Sequence, residues 1–491
     1  MKNEKQNLVN KRAVNRRQFL RNSAVGLAAG SSLQITPVLF GKKSDIIEKE
    51  LHVAVIGTGG QGFNLLQNCL RIENIRIRAV CDIWEEYGLK RAIRMTNAYH
   101  KKRGYVPDCR GYVDYRDLLD KEKYLDAVII ATPDFCHAEQ TVACLKAGFH
   151  VYCEKEMAHT LDGARQMVRT AQETGKLLQI GRQRRSNPVY RFCRDKLIRE
   201  GNILDRITTV NGQWNRAYFG NQTRTCPSRY TIKSEVLKRF GYESMQQHRN
   251  WQQYKHLGGS LMANRGSHQI DTYNWFLQRP PQAVLAAGGT DFWKDWQSYD
   301  NIMTILEYQT DSQLVRALYQ AISTNGYQGY FETFLGIHGT MVISESFGKN
   351  AVYIEPHISG EKFDKKIADI NCKHLIEETN LNKNIPPIPG IGHYENRKIS
   401  VFEVYPTPPP LYLERYKLNI TIEKPVHQYH LENFFNAIRG KEKLNCSAEN
   451  AFATSVTVFK INEAVQLGRK LELKPEDFIA WKPPLLRGGR I

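Results

Sequence analysis

LHVAVIGTGGQG, residues Leu51 to Gly62, sets an apolar, β-branched run directly against a Gly-x-Gly-x-x-Gly turn. The pattern that follows, through Phe63, Leu65, Leu66 and Leu70, is helical, so the order is strand, glycine turn, helix. Gly57 permits the tight turn, Gly59 lets the backbone approach a pyrophosphate, and Gly62 lets the helix pack closely on the strand. The helix start offers free N–H groups to an anion, and Thr58, Gly60 and Gln61 complete the loop that would touch it. A second strand, Ile75 to Cys81, ends at Asp82, twenty residues beyond Gly62. An acid there accepts from a ribose hydroxyl and repels a 2′-phosphate, which selects NAD over NADP.

Outward from this unit the alternation continues. Asp126 to Thr132 reads as a strand leading through Pro133 into a helix from His137 to Ala147. Val151 to Cys153 runs into Glu154-Lys155, and Leu177 to Gly181 follows a helical run from Leu161 to Glu173. Strands alternating with helices predict a doubly wound parallel sheet, an α/β Rossmann domain over 44–180, with its ligand at the carboxyl ends of the strands. Asp82, Thr132 and Lys155 all fall at such ends.

The stretch ATPDFCHAEQTVACLKAGFHVYCEKEMA, Ala131 to Ala158, is similar to the signature of the glucose–fructose oxidoreductase, inositol dehydrogenase and rhizopine-catabolism (Gfo/Idh/MocA) family. That resemblance implies that Thr132, Pro133, His137, Glu154 and Lys155 lie about an NAD. Lys155 would hold a substrate hydroxyl and stabilise alkoxide character as hydride departs. His137 either touches the nicotinamide side or merely packs. Glu156 departs from the family, which has proline after the lysine.

From about 203 the character changes to long alternating segments: Ile203 to Trp214, Gln282 to Thr290, Asn301 to Tyr308, Leu314 to Ile322 and Tyr330 to Ile343. They predict an α+β domain over 181–491 built on a large, mainly antiparallel open sheet. By resemblance, its polar face would close the crevice and its other face would pair in a dimer or tetramer. Gly258 to Leu277, GGSLMANRGSHQIDTYNWFL, is similar to the family's histidine element. His268 would take the hydroxyl proton, and Asp271, three residues on, would orient the ring. Asn264 stands where the family commonly has aspartate and can bind a hydroxyl but not act as a base. Arg182 to Arg185 and Trp214-Asn215-Arg216 supply donors and an aromatic platform for a sugar, or else form an interdomain ion-pair cluster. Segments 216–255 and 357–424 fit no regular pattern, and the second contains PPIPG and TPPPL, so both predict loop-rich insertions. His427 to Ile438 and Ala448 to Gly468 read as helices.

At 491 residues the chain is too long for one ordinary core. Of the formal net charge of +19, residues 1–43 supply +8. The remainder forms no basic helix with interleaved aromatics, which excludes a nucleic-acid partner. Ten cysteines include no C-x-x-C pair, so they predict buried thiols and no metal site. Arg16-Arg17-Gln18-Phe19-Leu20-Arg21, followed by a weakly apolar stretch to Phe40, resembles a twin-arginine export signal. It is too polar for a permanent membrane anchor. The expectation is a periplasmic, NAD-dependent oxidoreductase acting on a hydroxyl of a sugar, glycoside or cyclitol. Because free NAD is scarce outside the cytoplasm, the cofactor would be tightly bound and recycled. Redox-neutral glycoside cleavage by oxidation, elimination, hydration and reduction is the alternative, and a non-catalytic sugar-binding protein the third possibility.

Overall fold

The computed structural model describes residues 48–217, 224–346, 348–355, 357–358, 360–370, 374–378 and 413–480. The export signal expected over 1–43 and most of the expected 357–424 insertion lie outside the described residues.

The first sheet consists of β1 (Leu51–Ile56), β2 (Ile75–Cys81), β3 (Arg110–Tyr112), β4 (Ala127–Ile130), β5 (His150–Glu154) and β6 (Leu178–Gly181). All pairs are parallel, in the order β3-β2-β1-β4-β5-β6. Residues of β1 and β4 are almost wholly buried, as expected of parallel strands covered on both faces. The order reverses between β1 and β4, which is where a doubly wound sheet opens its crevice. The glycine turn fits this place closely. Gly57 adopts φ +84, and a Cβ on Gly62 would come within 1.8 Å of the Gly57 carbonyl oxygen. Edge strand β3 is absent from the sequence reading because three residues, two of them exposed, give no periodicity.

The second sheet has ten strands. β7 (Ile207–Asn215), β8 (Ala283–Gly289), β9 (Asn301–Gln309), β10 (Leu314–Ile322), β11 (Tyr330–Gly336) and β12 (Gly339–Ile343) are followed by β13 (Ala351–Ile354), β14 (Leu375–Glu378), β15 (Glu414–Leu418) and β16 (Leu471–Glu472). They run β14-β15-β13-β12-β11-β7-β10-β9-β8-β16. The pairing is antiparallel except for β7 with β10, so the sheet is mixed, though mostly antiparallel. The single segment expected over Tyr330–Ile343 is a hairpin broken at Ile337-His338. The 216–255 segment is not loop alone, since it contains helices Ser234–Arg239 and Met245–Arg249. A helix, Gly360–Asp369, likewise lies within 357–424.

The boundary at 180 is crossed by the chain's last helices. Val426–Ile438 buries Leu431, Phe434 and Phe435 in the Rossmann core, and Ala448–Leu467 adds Ala451, Phe452 and Val456. Val458 and Ile461 of the same helix enter the core under the large sheet. At the seam four charged side chains meet, nearly excluded from solvent. Arg182, just after β6, donates to both Glu156 oxygens at 3.0 and 3.1 Å and to the Ser267 carbonyl at 2.8 Å. Arg185 grips Asp271 through two parallel bonds of 2.8 and 2.9 Å. Thr454 donates to Asp271 at 2.9 Å, and Ser455 donates to Glu156.

Burial opposes the Asp271 charge, but Arg185 and Arg182 outweigh it and hold its pKa below the ordinary 3.8. A depressed folded pKa gives stability that is full above the ordinary value and lost as pH falls through the folded one. Asp271→Asn leaves two buried guanidiniums short of a partner and is expected to cost about 3–5 kcal/mol at neutral pH. The gap from the parent protein should narrow below roughly pH 4, which urea denaturation across pH 3–7 will measure.

Candidate active site

Between the carboxyl ends of the parallel strands and the second domain lies a cavity of about 580 Å³. Its floor is the glycine turn: Gly57, Gly59, Gly60 and Gln61 line it. A Cβ on Gly59 or Gly60 would meet nothing within 4 Å, and no side chain caps the helix Gly60–Arg71 that starts there. This is the open, donor-rich cradle that a dinucleotide diphosphate requires. Thr58 and Gly62, expected to touch the cofactor, do not line the cavity. Gly62 is used for helix packing, and Thr58 is buried and shapes Asp82 instead.

Asp82 reaches the cavity from the end of β2. One of its oxygens accepts from the Thr58 amide at 2.6 Å and hydroxyl at 3.0 Å, the other from the Trp84 amide at 2.7 Å. Burial pushes its pKa up against these hydrogen bonds. Thr132 and Pro133, after β4, line the next stretch of wall, with Glu154 and Lys155 after β5. Glu154 accepts from Gln61 at 3.0 Å and so ties the turn to the neighbouring strand end.

His137 is wholly buried and does not line the cavity. Its Nδ1 lies 2.7 Å from the Glu156 carbonyl oxygen and its Nε2 2.7 Å from that of Thr132. Carbonyls only accept, so both ring nitrogens donate and the ring is an imidazolium. Burial works against that charge, but Cys153 and Asp134 outweigh it and hold the pKa at about 10. His137 is therefore a positioning residue that staples the end of β4 to the turn after Lys155. Asp134, which the sequence reading missed, lines the cavity, and burial raises its pKa to about 6 although His137 and Lys155 pull the other way.

Lys155 donates to the Asn264 carbonyl at 2.6 Å. The Lys155–Glu156 peptide is cis, and Glu156 is anchored by Arg182 where the family signature has proline. Burial lowers the Lys155 amine from its ordinary 10.5, with Asp134 and Glu154 resisting. His268, at the start of helix Ser267–Phe276, lines the same cavity as Lys155 and Asn264. Its Nδ1 is buried without a hydrogen-bond partner. Burial, then Lys155, Arg184 and Arg182, push its pKa well below 6.5, so the ring is neutral. Trp214 stacks on it with centroids 5.9 Å apart but does not line the cavity.

Arg182 and Asp271 are not substrate ligands here: both are consumed by the buried ion-pair cluster. Asp271 does not orient His268, because its oxygens are taken by Arg185 and Thr454. Nor does the large sheet close the crevice, since none of its strands lines the cavity. The closing wall is the segment running from Arg224 to Trp251 and Gln252. Its apolar side, Ile232, Leu237, Tyr242 and Leu257, packs on Trp84. Trp84 Nε1 donates to the Tyr230 carbonyl at 2.5 Å, Arg239 pairs with Asp114 at 2.5 Å, and Phe135 N donates to Leu257 O at 3.2 Å. The segment thus spans from the β2 side of the crevice to the β4 side.

Residues 51–182 match the oxidoreductase family with an NAD-binding Rossmann fold, GFO/IDH/MocA, and residues 230–341 match a GFO/IDH/MocA C-terminal domain. Both domains belong to the GFO/IDH/MocA oxidoreductase family. The first is an NAD-binding Rossmann domain. The chain is 35% identical over 173 residues to glycosyl hydrolase family 109 protein 2 of Shewanella sp. strain ANA-3, covering 32% of this chain and 37% of that protein. It is 33% identical over 146 residues to inositol 2-dehydrogenase of Rubrobacter xylanophilus, covering 29% and 38%. The matched stretches thus span less than two-fifths of these relatives. The WlbA dehydrogenase of Bordetella pertussis, solved with NADH and UDP-GlcNAcA, superposes with a TM-score of 0.56 over 87% of this chain and 99% of that one, at 16% identity. Myo-inositol 2-dehydrogenase of Lactobacillus plantarum gives 0.55 over 87% and 100%, also at 16% identity. At 16% identity these likenesses show a shared fold.

If Asp82 selects the cofactor, Asp82→Ala should weaken NAD binding at least tenfold and narrow the preference over NADP. Calorimetric titration of both dinucleotides into nucleotide-free protein checks this.

Proposed function

We propose that this protein is an exported, NAD-dependent oxidoreductase that oxidises a hydroxyl of a sugar, glycoside or cyclitol and keeps its cofactor bound through turnover, the hydride then passing to the carbonyl of a second sugar. The observation that carries the reading is the convergence of Lys155 and neutral His268 on the cavity that begins at the glycine turn. NAD, when bound, supplies the hydride acceptor. Lys155 spends one donor on Asn264 and has others for the substrate oxygen, whose developing negative charge it stabilises. The hydroxyl proton passes to the unprotonated His268 ring. The wall from Arg224 to Gln252 supports retention, because a dinucleotide on the glycine turn would lie beneath it. Export rests on the Arg16-Arg17 stretch.

A second reading, redox-neutral glycoside cleavage, is favoured by the family 109 relative and by the same enclosing wall. Oxidation of a ring carbon acidifies the neighbouring C–H, the aglycone oxygen leaves by elimination, water adds, and the ketone is reduced again. The sum is glycoside plus water to sugar plus alcohol. A ketone product matched by reduction of a second sugar, or by no more than one bound NADH per chain, identifies the dehydrogenase outcome; released aglycone with no net NADH and no ketone identifies the cleavage.

We also propose that the outer face of the large sheet pairs with a second copy of the chain. Leu285, Ile305 and Leu318 form one cross-strand row there, and with Met303 they are exposed. Patches of this kind mark interfaces.

Lys155→Ala and His268→Ala should each lower kcat/KM by 10²–10⁴-fold, on the order of a lost acid–base or oxyanion contact. A variant of either residue with unimpaired turnover contradicts the pairing. Because His268 is neutral until well below pH 6.5, the acid limb of kcat/KM should lie below that pH. Leu318→Arg should shift the protein to monomer in analytical ultracentrifugation.

A further inference from the structure

Four residues of the large cavity's wall, Arg224, Arg249, Gln252 and Asn264, also line a second cavity of about 40 Å³. Asn250, Gln253, Arg265, Ser298 and Ser323 are among the other polar residues that line it, and no acidic side chain does. Elsewhere at this seam every buried guanidinium is met by carboxylate: Arg182 by Glu156, Arg184 by Glu332 and Arg185 by Asp271. A buried charge is costly unless so paired. Arg249 differs. Its side chain is half-buried, its guanidinium lies over the Trp84 ring at 4.9 Å, its Nε has no hydrogen-bond partner, and among the described residues neither it nor the exposed Arg224 is ion-paired. The Ser323 hydroxyl is fully buried and also lacks a partner. The arm adjoins the reacting pair. Asn264 Oδ1 accepts from Gln252 Nε2 at 3.4 Å, while its carbonyl accepts from Lys155.

We propose that the substrate is an acidic sugar, whose carboxylate, sulfate or phosphate seats against Arg249 and Arg224 while its hydroxyl meets Lys155 and His268. That the ligand is a sugar whose hydroxyl meets Lys155 rests on the proposed oxidoreductase function; the anion seat rests on the arginines. Planar guanidinium forks suit oxyanions with two or more equivalent oxygens, and the small arm suits a substituent rather than a whole ring. Lys155, Arg184 and Arg182 already make the field at His268 positive, which attracts an anion to this end of the cavity.

The test uses the full chain with its cofactor. Glucuronate, galacturonate, glucose 6-sulfate and glucose 6-phosphate are titrated by calorimetry beside neutral glucose and galactose, in parallel with hydride-transfer assays. At least one acidic sugar should bind tenfold or more tighter than its neutral parent, the advantage should shrink with added salt, and the strongest of the three anion types names the substituent. Arg249→Gln should erase the advantage, and so should Arg224→Gln, whose exposed side chain makes it the safer variant for folding. The nucleotide content of each variant after gel filtration separates loss of sugar preference from loss of cofactor. No acidic sugar exceeding its parent overturns the proposal, as does loss of NAD without loss of sugar preference, which would assign the arginines to the cofactor. Acidic preference without any hydride transfer upholds the subsite and overturns the oxidoreductase reading instead.

Discussion

The buried cluster of Glu156, Arg182, Arg185 and Asp271 is the constraint from which the site's geometry follows. The four members come from three places in the chain: Glu156 from the turn after β5, Arg182 and Arg185 from the turn after β6, and Asp271 from the helix Ser267–Phe276. Ser455 and Thr454 bring in the C-terminal helix. Lys155 is the residue before Glu156, and His268 lies one turn before Asp271, so the distance between the proposed catalytic groups is fixed by ion pairs neither makes. Such clusters add little net stability compared with an apolar seam, but removing one member is costly. That asymmetry suits a seam whose register matters more than its strength.

A second buried charge works on the other side of the crevice. The His137 imidazolium joins the Thr132 carbonyl to the Glu156 carbonyl and so holds the ends of β4 and β5 together below the cavity. Across the cavity, Lys155, Arg184 and Arg182 leave His268 in a positive field. A histidine in that field stays neutral, and a neutral ring is what proton abstraction from a hydroxyl requires. Acidic residues lining the cavity, Asp82, Asp134 and Glu154, sit on the Rossmann side, whereas Arg224 and Arg249 come from the second domain. The site is thus polarised across the domain boundary.

Much of this was legible in the sequence where local chemistry decides structure. The glycine turn, Asp82 and the strand ends are set by backbone demands and short spacing, and the cavity takes in Gly57, Gly59, Gly60, Gln61, Asp82, Thr132, Pro133, Glu154 and Lys155 as expected, with Asn264 and His268 opposite. What was not legible depends on partners far apart in the chain. Asp271 has helical spacing suited to His268, yet Arg185 is the stronger partner and takes its oxygens. Arg182 carries donors fit for a sugar, but they face Glu156. The departure from proline at 156 was visible as a residue, and its role emerges only with Arg182 and Ser455 around it. The 224–257 wall has no long periodicity, because its helices are short and its apolar residues pack on Trp84 rather than on each other's turns.

The proposed function requires a dinucleotide that rests on the glycine turn, enclosed beneath that wall, and stays there. Purifying the folded protein without added nucleotide, denaturing it and identifying what is released by absorbance and mass tests this directly. About one NAD or NADH per chain is expected. Protein that releases no nucleotide, and afterwards binds NAD only weakly and reversibly, would contradict it.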